Sequence, residues 1–303
     1  MNEKEISHPY LDTFEALMTI KNFDYTSGLR KRYRQLAKQM GMDAYTRLHL
    51  EILLLLPRAN KDPISELFFG KLCEKYCYSL LSPQMLRLIS QYSPLVELGA
   101  GNGYNAWLLE QMGASVEAIE AFPVEEGKNW FFATNSVGLP TKRGKSWTKI
   151  IKGDATNLSA YTDRTLLIIW PPINDMAQQA LKHFKGKNLI LIANRKNCAD
   201  NQFYKTLQDQ WHLIYSNETD GWSSFQTEWL GVYSRTGTID SGADHPHFHG
   251  ELSHSHSHFH DEHHQHGHGH ENISDFRFPH SHEHHHAKFL HSHPTLRDDH
   301  HEN

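Results

Sequence analysis

Cysteine is scarce: 303 residues hold three, Cys73, Cys77 and Cys198. Three thiols make no disulfide framework, which excludes a small stapled secreted scaffold and fits a reducing compartment. Cys73 and Cys77 are four apart and are expected to share a helix face as buried thiols, since no second pair stands at metal-ligand spacing. Long apolar runs are also missing. The longest, Ile52–Pro57, is far shorter than a bilayer span, and the opening MNEKEISHP lacks the apolar stretch of a leader. These absences predict a soluble, cytoplasmic protein. An excess of positive charge is lacking as well. Met1–Ile239 carries 27 Lys and Arg against 24 Asp and Glu, so no charge imbalance points to nucleic acid or an anionic membrane.

What is present divides into two compositions. Asp240–Asn303 contains 21 of the 25 histidines, and 11 acids against three Lys and Arg. The chain's net charge of −5 therefore belongs to this tail. Residues 237–303 show almost no apolar periodicity and are expected to be disordered, because too little surface can be buried to offset chain entropy. Their imidazoles are metal ligands by chemistry. His254, His256, His258 and His260 alternate; His263, His264, His266, His268 and His270 continue the run; His282, His284, His285 and His286 form another. A flexible chain can gather three or four of these around one ion, with protons competing for the ligands. Copper and nickel are favoured by intrinsic affinity, zinc by availability. The plainer alternative is a solubilising low-complexity tail.

Residues 1–92 read as a helical region that could form a lid. Helical patterns are expected over Leu29–Met40, Tyr45–Leu56, Ser65–Tyr76 and Gln84–Gln91, the last opened by Ser82 and Pro83. From residue 93 to 236 the rhythm changes. Strands are expected at Leu95–Leu98, Ser115–Ile119, Trp147–Ile151, Thr165–Trp170, Asn188–Ala193, His212–Ser216 and Glu228–Ser234. Helices are expected at Asn105–Met112, Asp175–Phe184 and Asp200–Gln210. Apolar strands alternating with helices imply an α/β domain with a doubly wound, mostly parallel sheet. The last two strands lack an intervening helix and could pair as an antiparallel hairpin.

The informative stretch is Glu97-Leu98-Gly99-Ala100-Gly101-Asn102-Gly103-Tyr104. It follows a strand and opens a helix, the context in which a glycine-rich turn is meaningful. Gly99 and Gly101 allow close backbone approach to a ligand, and Gly103 allows the helix to pack near the sheet. The free N–H groups of the helix start are expected to point at the bound molecule. A nicotinamide turn has G-x-G-x-x-G spacing. Here the spacing is Glu-x-Gly-x-Gly-x-Gly, and a carboxylate at the strand end suits a cation better than a diphosphate.

In this turn the chain resembles the class I S-adenosylmethionine-dependent methyltransferases, and the resemblance extends over about 140 residues. It implies a seven-stranded sheet with S-adenosylmethionine held by Glu97, Gly99, Ala100, Gly101, Gly103 and Tyr104. Glu120 lies 17 residues after Gly103, where the family's acid holds both ribose hydroxyls. Asp154, beside Ala155, matches the family's contact to the adenine amino group. Trp170, Pro171 and Pro172 end the fourth strand and look like the Asn/Asp-Pro-Pro-aromatic motif of amino-group methyltransferases, in which the first side chain and a proline carbonyl accept hydrogen bonds from the target amine. Trp170 replaces the side-chain acceptor and Ile173 the aromatic residue. The segment is also similar to methyltransferase-like proteins with a Trp-Pro-Pro strand end, which implies no particular acceptor, small molecule or protein.

Several residues keep two readings. Trp170 stacks on a substrate or packs between strand and helix. Tyr76 and Tyr78 lie near the cofactor or in the core. Asn174 and Asp175 are catalytic or cap a helix. For the whole chain, the alternative to an enzyme is a metal-handling protein on a catalytically silent scaffold.

Overall fold

Leu95–Leu98, called β1, is buried along its whole length, as expected of a strand covered on both faces. The same logic builds β4 (Thr165–Ile169) and β5 (Asn188–Ala193), buried at all but one residue each, whereas β2 (Val116–Glu120) is buried only toward its end and the outer β3 (Ile150–Lys152) has no buried residue; β6 (Trp211–Glu218) and β7 (Trp229–Arg235) follow. The computed structural model describes residues 6–21, 28–55, 61–127, 129, 145–219 and 228–235. For 244–249, 252–258, 280–286 and 289–294 it describes the backbone.

The seven strands form one sheet in the order β3-β2-β1-β4-β5-β7-β6. β1 runs parallel to β2, β2 to β3, and β4 to β5. β7 is antiparallel to both β5 and β6, so the expected terminal hairpin is present. It is inserted so that β7, not β6, borders β5. The result is a Rossmann-like sheet that departs from the 3-2-1-4-5-6 dinucleotide order only by that antiparallel insertion.

The chain divides into two compact units, Met1–Asp154 and Ala155–Asn303. The first contains β1–β3 and helices α1 (Pro9–Lys21), α2 (Gly28–Gln39), α3 (Ala44–Leu55), α4 (Lys61–Lys75), α5 (Pro83–Ser90) and α6 (Tyr104–Gln111). This unit holds both the N-terminal helices and the glycine turn. Pro63 sits in the first turn of α4, where its missing N–H has no intrahelical partner to lose. α4 ends at Lys75, so Cys77 lies beyond it. Cys73 and Cys77 do not share a helix face: Cys73 is buried, whereas Cys77 is half-buried and donates to the Ser79 carbonyl at 3.0 Å.

The second unit holds β4–β7, α7 (Met176–His183) and α8 (Asn201–Gln210). Asp200 caps α8 by accepting from the Phe203 N–H at 2.7 Å. In the tail, for which the sequence predicts disorder, four short backbone segments are extended and pair antiparallel: Asp244–His249 with Phe289–Pro294, and Leu252–His258 with His280–His286. An alternating His-x-His pattern has the two-residue period of a strand. No described helix is long and apolar enough to cross a membrane.

Candidate functional site

The glycine turn joins β1 to α6. Gly99, Gly101 and Gly103 all have left-handed backbones, with φ of 74°, 59° and 76°, which explains why glycine recurs at alternate positions. Gly103 is also sterically confined, since a Cβ there would lie 2.8 Å from the Ile150 side chain.

Glu97, at the end of β1, is 2 % exposed. One carboxyl oxygen accepts from the N–H of Ala106, in the first turn of α6, and the other, Oε2, has no hydrogen-bond partner. Burial, reinforced by the neighbouring Glu120 charge, pushes the Glu97 carboxyl up to about 8. At neutral pH it therefore holds a proton. Asn102 accepts from the Tyr104 N–H through Oδ1 at 3.1 Å and donates through Nδ2 to the Lys75 carbonyl at 3.2 Å. Its own carbonyl accepts from the Trp147 N–H at 2.8 Å. Thus the N–H groups of Tyr104 and Ala106 are engaged internally, contrary to the expectation that the helix start presents free donors to a ligand. The strand-end acid and the turn's own asparagine satisfy them first.

Glu120, at the end of β2, closes over the turn. Its Oε2 accepts from the Gly101 N–H at 2.9 Å and its Oε1 from the Phe122 N–H at 3.0 Å. A third bond comes from the Ala121 backbone. Burial raises this carboxyl and the three backbone bonds oppose the shift. About three of the roughly four acceptor sites of a carboxylate are taken. The backbone of β2 also holds β3, since the Gly153 N–H donates to the Glu120 carbonyl at 3.2 Å. The following Asp154 is exposed, and Ala155 opens a 3-10 turn in which only Ala155 and Leu158 are buried.

Tyr104 turns away from the glycine loop. Its hydroxyl accepts from the Tyr10 N–H at 3.0 Å and lies 3.2 Å from His8 Nδ1, while His8 Nε2 lies 2.8 Å from the Leu81 carbonyl. A carbonyl only accepts, so Nε2 carries the proton and Nδ1 accepts from Tyr104. Around it pack Tyr10, Tyr76, Trp107 and Trp147, with Tyr10 stacked on Tyr76 at 5.1 Å. Tyr76 is therefore a core residue. The sequence offered no signal for Asn102 or His8, because their roles depend on partners 27 and 73 residues away.

In the second unit, Trp170 is half-buried and has a left-handed backbone, φ 52°, an uncommon and costly conformation for a bulky residue. Its N–H donates to the Ile192 carbonyl at 2.8 Å. The carbonyl of buried Pro171 accepts from Ala199, itself left-handed at φ 54°, and the carbonyl of exposed Pro172 accepts from the Asn174 N–H. One lone pair on each proline carbonyl is thus engaged. Asn174 caps α7 through the Met176 N–H at 2.9 Å, whereas Asp175 accepts from Gln179 Nε2. Cys198 receives the Asn194 N–H on its sulfur at 3.3 Å, and burial pushes its thiol up to about 12, which removes it as a neutral-pH nucleophile. Arg195 stacks over the Tyr204 ring at 3.6 Å.

Among the described residues no group of three or more His, Cys, Asp or Glu could hold a metal ion. His260, His263, His264, His266, His268 and His270 lie outside the described residues, as do the side chains of His254, His256, His258, His282, His284, His285 and His286.

No protein-family profile and no curated protein matches the sequence. Among solved structures, a Streptococcus agalactiae protein of the NADB-Rossmann superfamily is similar at 18% identity and a TM-score of 0.33, over 52% of this chain and 69% of that one. A Streptococcus pneumoniae protein, provisionally a tRNA (m1A22) methyltransferase, is similar at 14% and 0.32, over 52% and 71%. The Pyrococcus abyssi tRNA (uracil-54, C5)-methyltransferase, solved with S-adenosyl-L-homocysteine, is similar at 9% and 0.32, over 50% and 37%.

Proposed function

We propose that the chain is an S-adenosylmethionine-dependent methyltransferase of unassigned acceptor, small molecule or protein, working in the cytoplasm. The observation that carries this reading is the union of three left-handed glycines with two buried acids, Glu97 and Glu120, at the ends of adjacent parallel strands. The orphaned Glu97 Oε2 suits a ligand that brings a positive charge or a donor. Gly99, Ala100 and Gly101 supply close backbone approach. Glu120 takes a ribose hydroxyl at its remaining acceptor site, or at that of Gly101 once the turn yields. Asp154 and Ala155 take the adenine. The side chain of Tyr104, turned into the core, supports the turn and does not touch ligand. Bound S-adenosylmethionine supplies an activated methyl group. The chain's part is to hold the nucleoside and to orient an acceptor, for which Trp170, Pro171 and Pro172 remain the candidate residues; positioning provides much of the acceleration of an in-line displacement.

The test is calorimetric titration of the full chain, with chelator present, with S-adenosylmethionine and S-adenosylhomocysteine. Micromolar binding of either is expected, weakened in Glu120→Ala. A folded chain that binds neither refutes the reading. The second reading, a metal-handling protein on a silent scaffold, is favoured by the tail's 21 histidines and by an indole where the motif has a side-chain acceptor. It requires Ni, Zn or Cu binding by the tail. Full turnover after tail deletion counts against it.

A further inference from the structure

Glu97 is the most isolated ionisable group of the turn. It is almost wholly buried, one oxygen is held by the Ala106 N–H, and Oε2 is unpartnered. The charges acting on it are Glu120, from β2, and Glu110, from α6. Both are acids. A buried carboxyl on which, among the described residues, the acting charges are those of two acids keeps its proton, because ionisation would place an uncompensated charge in a poorly solvated site.

Resting on the S-adenosyl reading above, we propose that Glu97 exchanges its proton for the ammonium group of the ligand, so that binding of an S-adenosyl compound releases a proton to solvent. The ligand keeps its own protons. The O–H bond of Glu97 breaks, the proton passes to buffer, and the carboxylate left behind is compensated by the incoming ammonium. No electron is transferred. The exchange makes the turn selective for the amino-acid end of the ligand. A neutral adenine nucleoside offers no charge to offset ionisation and binds with Glu97 still protonated.

The free carboxyl is set at about 8, so at pH 7 it is mostly protonated. A unit positive charge seated a few ångströms away, in a partly desolvated site, lowers it by about two pH units. Release of about half to one proton per site follows. The measurement is titration of the full chain at pH 7 with S-adenosylhomocysteine in phosphate and in Tris, whose ionisation enthalpies differ; the difference in apparent heat counts protons. Release is expected in the wild type, with none in Glu97→Gln, which retains an oxygen for the Ala106 N–H, and none with 5′-methylthioadenosine, which lacks the ammonium. Binding without proton release, or equal release by Glu97→Gln, overturns the proposal and leaves the S-adenosyl reading standing. Failure of every S-adenosyl compound to bind overturns both. The ligand-free state is checked separately by infrared difference between wild type and Glu97→Gln. A protonated-carboxyl band at pH 6.5 is expected, and a carboxylate band at that pH contradicts the mechanism.

Discussion

Replacing Gly103 with alanine asks whether this glycine is required by backbone conformation alone or also by packing. Its φ of +76° is left-handed, and any residue with a Cβ is strained there by about 1–2 kcal/mol. The added methyl would also lie 2.8 Å from Ile150 Cδ1 and 3.0 Å from Thr148 Cγ2. Both are ends of side chains that can move, so the overpacking cost falls at the low end of the usual range of about 1–3 kcal/mol. Loss of glycine's freedom in the unfolded chain returns about 0.4–1 kcal/mol. The balance is a loss of about 1–2.5 kcal/mol, centred on about 2. Gly113 is the control: its φ is +88°, yet nothing lies within 4 Å of the Cβ position, so Gly113→Ala should cost about 1 kcal/mol from strain alone. Urea denaturation of the full chain and both variants, with unchanged m-values, measures the difference. Equal losses in the two variants would refute the claim that α6 is seated against the start of β3 through Gly103.

Three other outcomes follow from the same unit. The Glu97 carboxyl is raised in the folded state, to about 8, so between the unfolded value near 4.5 and pH 8 the folded chain binds more protons. Wild-type stability should therefore fall relative to Glu97→Gln as pH rises from 5 to 8, by at most about 1.4 kcal/mol per pH unit, and denaturation curves whose separation does not change with pH would contradict this. Tyr104→Phe leaves the buried Tyr10 N–H without its acceptor and should cost about 1–3 kcal/mol, read as a lowered midpoint; an unchanged midpoint means water or a backbone shift satisfies that donor. Burial holds His8 below its ordinary value, so nitrogen NMR should find it neutral and Nε2-protonated at pH 6.5. Its contribution to stability is present above that pH and is lost as pH falls below it. A half-protonated ring at pH 6.5 would be inconsistent with the His8–Tyr104 geometry.

The sequence marks elements whose signal is local and misses those decided by distant partners. β1 and β5 fall where expected, to the residue, because each is an apolar run with abrupt ends. β3 was expected over Trp147–Ile151 and is Ile150–Lys152. The Trp147 N–H is taken by the Asn102 carbonyl, which removes that residue from the ladder. α1 opens on Pro9 and is capped by His8, whose Nδ1 accepts from the Leu11 N–H at 3.1 Å. Histidine is not among the usual cap residues, and His8 is itself anchored by Leu81 and Tyr104, more than 70 residues ahead, so the helix boundaries are not legible although the region reads as helical. In the site, Glu97, the three glycines and Glu120 could be picked out because strand ends and φ > 0 positions leave a spacing in the chain. Asn102 occupies a variable position of the motif. Its function as a three-way bridge among α4, α6 and Trp147 exists only in the folded unit.

The engaged donors of α6 bear on the proposal of an S-adenosyl ligand over a diphosphate. A turn that seats a diphosphate leaves the first N–H groups of its helix open, because those donors and the helix dipole are what bind the anion. Here the N–H groups of Tyr104 and Ala106 go to Asn102 and Glu97. The Gly101 N–H goes to Glu120. A diphosphate arriving at this turn would have to displace two side chains that are themselves buried, and would meet the Glu120 carboxylate. At 5 Å and an effective dielectric near 20, each pair of like unit charges costs about 3 kcal/mol. A cationic nucleoside avoids the repulsion: its positive charge is attracted by the same carboxylate, and the orphaned Glu97 oxygen gains a partner. The left-handed glycines suit close backbone approach to a ligand of either kind, so on the S-adenosyl proposal it is the side chains occupying the donors that weigh against a diphosphate.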